Sequence, residues 1–112
     1  MTDQPINEWI KEQVTTSDVT LFMKGNPQFP QCGFSSVVCQ ILDYLEVPFA
    51  SHNVLENEDL RNGIKSYSDW PTIPQLYVKG EFVGGCDILK EMFEAGELRS
   101  LFEEKGIKVA AA

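Results

Sequence analysis

The sequence predicts an α/β domain in which two parallel strands are joined by a helix and a hairpin completes the sheet. Three observations carry that expectation. Apolar residues recur at helical spacing in segments separated by short runs of strand formers, one such run is followed by a helix and then a second strand, and Gln75 to Val83 has the pattern of a hairpin. With 112 residues, 43% of them hydrophobic, the chain can bury an ordinary core without disulfides or a structural metal. One domain over 1–112 is expected, with its core over about 5–104 and a tail over about 105–112.

Ile6, Trp9, Ile10 and Val14 follow Pro5 at helical spacing, which predicts an amphipathic helix of about three turns laid on a sheet. Val19-Thr20-Leu21-Phe22-Met23 is short, apolar and rich in strand formers, and Gly25-Asn26-Pro27 ends it. Two prolines mark the loop from Asn26 to Gln31. After Cys32, residues Val37, Val38, Ile41, Leu42 and Leu45 mark a second helix, so Cys32 falls in a strand-to-helix turn.

Phe49 to Val54 is the next strand, and Leu60, Ile64 and Tyr67 mark a third helix that must stop before Trp70-Pro71. Gln75 to Lys79, a Gly80-Glu81 turn and Phe82-Val83 form the hairpin, closed by Gly84-Gly85. Asp87 is the expected N-cap of a fourth helix through Ile88, Leu89, Met92 and Phe93. After Gly96, residues Leu98, Leu101 and Phe102 continue as a second short helix or as the far side of a break, and Ala110-Ala111-Ala112 is expected to fray.

A net charge of −8 opposes binding to nucleic acid or to an anionic membrane surface. No apolar run approaches the roughly 20 residues of a membrane span. A small anionic ligand stays possible, because exposed charges more than about 10 Å away are screened and local cations decide. The opening Met1-Thr2-Asp3-Gln4-Pro5 has neither a basic stretch nor an Arg-rich pattern, and three cysteines without framework spacing suit a reducing compartment. A cytoplasmic location is the expectation.

A cysteine at a helix N-terminus meets unpaired N–H groups and the positive end of the helix dipole, which favours the reactive thiolate of Cys32. Lys24, at the end of the preceding strand, adds a positive charge if the loop folds back. A dithiol oxidoreductase would place its second cysteine at 35, where this chain has Ser35. Cys39 lies about 10 Å farther along the helix, beyond disulfide reach, and reads as a core residue. Cys86, just before a helix, can approach Cys32 in space or be structural. With one usable thiolate, the chain must borrow a thiol for exchange or ligands for a metal.

Cys32-Gly33-Phe34-Ser35, Trp70-Pro71-Thr72-Ile73-Pro74-Gln75-Leu76, Gly84-Gly85-Cys86-Asp87 and Met23-Lys24-Gly25 occur in that spacing over a match of roughly residues 5–104. In these segments the chain resembles the CGFS-type monothiol glutaredoxins, specifically their single-domain bacterial and organellar members. The resemblance implies a thioredoxin fold, a four-stranded mixed sheet flanked by helices with an extra N-terminal helix. It also implies a cis Pro74, with the Ile73 backbone pairing with the peptide of glutathione as an added strand would. From the residues alone, Pro74 would be an ordinary trans turn proline.

Carried over by resemblance, Lys24 and Arg61 contact the glycine carboxylate of glutathione, and Cys86 and Asp87 bind its γ-glutamyl end. Lys65 is a supporting charge. Composition alone would make Lys24 and Arg61 solvated surface charges. His52 is expected to face solvent or a neighbouring strand. The resemblance further implies a homodimer sharing one 2Fe-2S cluster, ligated by Cys32 and a glutathione thiolate from each side, with a BolA-type protein as heterodimer partner and apo iron–sulfur proteins as clients. Two functions compete: a cluster carrier, and a glutathione-dependent oxidoreductase in which Cys32 attacks a glutathione mixed disulfide.

Overall fold

The computed structural model describes residues 3–111. Helix α1 (Asp3–Thr16) leads into strand β1 (Val19–Met23), helix α2 (Gly33–Tyr44), strand β2 (Ala50–Asn53) and helix α3 (Glu58–Ser68). The hairpin β3 (Gln75–Val78) and β4 (Glu81–Gly84) follows, and α4 (Cys86–Glu94) and α5 (Glu97–Glu104) complete the order. The predicted α/β alternation is present. The N-terminal helix is a turn longer than its apolar spacing indicated.

The strands lie in the order β2-β1-β3-β4, with β1 parallel to β2 and antiparallel to β3, and β3 antiparallel to β4. All five residues of β1 are buried because the sheet is covered on both faces. The period of two along the strands assigns those faces. Val19, Leu21 and Met23 of β1 join Leu76 and Val78 of β3 in the core beneath α2, α4 and α5. Phe22 and Tyr77 point the other way and pack with Ile10 and Val14 of α1 and Leu60 and Ile64 of α3. This mixed sheet with helices on both faces is the thioredoxin fold.

Several boundaries differ from expectation for local reasons. Strand β2 ends at Asn53, whose Oδ1 accepts the N–H of Leu55 at 3.0 Å and turns Val54–Glu56 into a single 3-10 turn. The hairpin turns on Lys79-Gly80, with φ of 52° and 84°, one residue before the predicted pair. Asp87 does not cap α4. Gly85 holds the N-cap position, and Asp87 sits inside the first helical turn, where its charge still favours the helix N-terminus.

Gly96 at φ 78° separates α4 from α5, so the C-terminal region is two helices. The segment after them does not fray as far as predicted. Ile107 is buried in the core, the Ala110 N–H donates to the Leu45 carbonyl at 2.7 Å, and Arg99 Nη1 donates to the Ala110 carbonyl. Ala112 lies outside the described residues.

Candidate functional site

The site grows from the carboxyl end of β1, where the chain must turn back to enter α2. Gly25 makes that turn at φ 88°, and a Cβ there would lie 2.5 Å from the Phe29 carbonyl oxygen, so only glycine fits. Asn26 Oδ1 accepts the N–H groups of Gln28 and Phe29 at 3.0 and 2.9 Å, and the Lys24 carbonyl accepts the Gln31 N–H at 2.8 Å. The loop therefore folds back, which is the condition for Lys24 to act on Cys32.

Cys32 occupies the N-cap position of α2 in an extended conformation, φ −153° and ψ 135°, and its carbonyl accepts the Ser36 N–H at 2.9 Å. The thiol is partly exposed. The backbone N–H of Ser35 draws its pKa below the ordinary value; partial burial opposes this, and the Phe34 N–H, the Lys24 charge and the Ser35 hydroxyl act in the same direction as Ser35 N–H. The helix N-terminus thus does for Cys32 what its place in the sequence predicted.

The other two cysteines behave differently. Cys39 is buried, its thiol 3.7 Å from the Met23 sulfur, and burial pushes its pKa up. It is a core residue, as its spacing indicated. Cys86 opens α4 and is partly buried; burial, then the Asp87 charge, raises its pKa.

A cleft of about 400 Å³ opens beside Cys32. One wall is Cys32 and Phe34, the second is the loop from Trp70 to Pro74, and the third is the start of α4 from Gly85 to Ile88, with Lys24 and Lys65 also lining it. The Ile73–Pro74 peptide bond is cis. Gly85 permits the second and third walls to meet, since a Cβ there would stand 3.2 Å from the Pro74 carbonyl and 3.3 Å from Trp70 Nε1.

Lys24, Cys32, Ile73, Pro74, Cys86 and Asp87 are all brought to this cleft. Arg61 is not in its wall. It lies exposed on α3 one turn before Lys65, about 6 Å along the axis at 1.5 Å per residue, and Lys65 is the α3 cation that borders the cleft. Trp70, Pro71 and Thr72 are wall residues to which the sequence assigned no binding role. Their signal is their place at the Pro71–Pro74 turn, which only a folded loop converts into a surface.

The arrangement places two cations, an acidic side chain at a helix start and one lowered-pKa thiol around a single cavity. That suits a ligand with carboxylates, an ammonium and a peptide backbone. Among the described residues no group of three or more His, Cys, Asp or Glu converges to hold a metal ion. Cys32, in the cleft wall, could supply one ligand to a metal group. His52 contributes none. It lies between Phe22, stacked at 5.2 Å, and Trp9, edge-on at 5.1 Å, where burial lowers its pKa.

The glutaredoxin family model matches residues 19–83. A monothiol glutaredoxin of Synechocystis is 53% identical over 94 residues, covering 84% of this chain and 88% of that one. The chloroplast monothiol glutaredoxin S14 of Arabidopsis thaliana is 54% identical over 99 residues, covering 88% of this chain; the chain spans 57% of that relative's length. The solution structure of reduced apo GrxS14 from poplar superposes with a TM-score of 0.83 at 53% identity, covering 94% of this chain and 97% of that one. A buckwheat glutaredoxin solved in complex with glutathione shares the fold, with a TM-score of 0.82 at 20% identity over 95% of this chain and 94% of that one.

Proposed function

The chain belongs to the glutaredoxin family, with monothiol glutaredoxins among its near relatives, and on that premise we propose that it binds glutathione in the Cys32 cleft and carries a 2Fe-2S cluster as cargo to apo-proteins. The observation that carries this reading is a single accessible thiol of lowered pKa, at a helix N-terminus beside a cleft, with buried Ser35 in place of a partner cysteine. A thiolate so placed can ligate iron, and it has no neighbour three residues on with which to close a disulfide.

The cleft's charges order the ligand. Lys24 and Lys65 favour the glycine carboxylate at one side, with Arg61 one turn away as a further cation. Asp87 can accept from the γ-glutamyl ammonium while the first N–H groups of α4 receive its carboxylate. The Ile73 backbone, in the cleft wall, would pair with the tripeptide as a strand edge does. Glutathione bound in this order brings its own thiol toward Cys32.

A 2Fe-2S cluster is commonly held by four thiolates. Two copies of this chain, each giving Cys32 and one glutathione, supply them. Because half the ligands are exchangeable small molecules, the cargo can leave for an apo-protein client or pass into a heterodimer with a BolA-type protein. The cytoplasm is the proposed location.

The lowered thiol also supports a second reading, glutathione-dependent exchange. The Cys32 thiolate would attack the glutathione sulfur of a mixed disulfide, forming a Cys32–glutathione disulfide and releasing the client thiolate; a second glutathione thiolate would then release Cys32 and leave oxidised glutathione. Anaerobic reconstitution with iron, sulfide and glutathione separates the two. Carriage predicts visible charge-transfer absorption and a shift to dimer on a sizing column. Rapid reduction of glutathione mixed disulfides without that absorption would establish the enzyme instead.

A further inference from the structure

We infer that Gln75 is a positioning residue that holds the Trp70–Pro74 wall of the cleft in its ligand-receiving shape. The inference rests on the proposed binding of glutathione to that wall, and it begins from an unusual burial. Gln75 opens β3 with no exposed surface, although a primary amide needs two acceptors and a donor.

All three are present. Gln75 Nε2 donates to the carbonyl oxygens of Trp70 and Thr72, each at 3.1 Å, and Gln75 Oε1 accepts the Tyr77 hydroxyl at 3.2 Å. The amide thus braces the loop from beneath at two points. Burial pushes the Tyr77 phenol up to about 12, so it stays an O–H donor at neutral pH. The Trp70 and Thr72 carbonyls can only accept, so they fix the amide orientation with Nε2 toward the loop, and Oε1 is left to accept from the Tyr77 hydroxyl.

The two carbonyls that Gln75 takes precede Ile73, and among the described residues the Ile73 N–H and carbonyl make no loop or side-chain hydrogen bond. Without the amide, the Trp70 and Thr72 carbonyls would lose buried partners, and the loop would relax toward water or into the cleft. Cys32 is held separately, by the N-terminus of α2 and by Lys24. Gln75 should therefore govern ligand affinity without governing thiol reactivity, a split that a general structural role would not produce.

The test uses Gln75→Met, of similar length and without donors, and Tyr77→Phe, which keeps the amide but removes the donor to its Oε1. Calorimetric titration with reduced glutathione should show roughly tenfold weaker binding for Gln75→Met and a smaller loss in the same direction for Tyr77→Phe, the scale expected for lost buried hydrogen bonds. The Trp70 amide, bonded to the Lys65 carbonyl and Ser68 Oγ at 3.1 Å each, should exchange with solvent faster in both variants, while α2 amides and the pH profile of Cys32 alkylation stay as in the parent. Unchanged affinity and unchanged Trp70 exchange would overturn the inference, as would parallel shifts in α2 exchange and Cys32 reactivity. If Gln75→Met does not fold, Tyr77→Phe decides by the same measurements. If the parent protein binds no glutathione, the functional reading fails, and Trp70 exchange alone still decides the role of Gln75.

Discussion

The backbone N–H of Lys24 donates to the buried Oγ of Ser35 at 3.1 Å, so the position that would hold a second thiol instead ties the end of β1 to the first turn of α2. Ser35→Ala would strip that N–H of its partner and remove one of the influences that lower the Cys32 thiol. The expected outcome is a loss of about 1–3 kcal/mol in stability, the usual scale for orphaning a buried donor. Denaturant unfolding measures the first effect. An upward shift in the pH midpoint of Cys32 alkylation measures the second.

The three thiols should separate in reactivity. Cys32 is partly exposed with its pKa lowered, Cys86 is partly buried with its pKa raised, and Cys39 is buried with its pKa raised. Iodoacetamide near neutral pH should label Cys32 first, Cys86 slowly and Cys39 only after unfolding, as read by peptide mass spectrometry. Cys32→Ser should lose both cluster binding and thiol exchange. Cys39→Ser should keep both while it stays folded, and loss of either with the fold retained, read by circular dichroism, would contradict its place in the core.

Gly85→Ala tests the shape of the cleft. Its new Cβ would approach the Pro74 carbonyl to 3.2 Å and Trp70 Nε1 to 3.3 Å, tighter than ordinary contact, so the loop or the start of α4 must give by a few tenths of an ångström. Glutathione affinity should fall by roughly tenfold, within the usual cost of overpacking a fitted site. Alkylation of Cys32 should proceed at the parent rate.

His52 should couple stability to mild acid. Burial between Phe22 and Trp9 lowers its pKa from 6.5, so the unfolded chain takes up the proton first. The contribution is fully present above pH 6.5 and is lost as pH falls from there through the folded value. Nuclear magnetic resonance of the His52 ring should give a midpoint below 6.5, and the thermal unfolding temperature should fall as pH drops through that window. A midpoint above 6.5 would show the ring to be stabilised as a cation.

Much of the architecture was legible in the chain itself. Short apolar runs of strand formers such as Val19 to Met23 and the apolar spacing of Ile41, Leu42 and Leu45 mark strands and helices, because a strand covered on both faces is apolar throughout while a helix needs one apolar stripe to reach a core. Boundaries were less legible where a side chain redirects the backbone. Asn53 Oδ1 accepts N–H groups from Leu55 and, at 2.9 Å, from Gly25, and the second of these lies 28 residues away. No local pattern announces such a bond.

What the sequence determined by itself is the alternation of elements and the place of Cys32 at the start of α2, because helix polarity and apolar periodicity are properties of adjacent residues. Tertiary structure alone decided that Lys65 borders the cleft while Arg61 stands a turn away, that His52 is sandwiched by aromatic rings, and that Gln75 braces the loop above it. Each of those depends on how segments far apart in the chain converge, and that convergence is settled by which faces of the sheet and helices can be buried together.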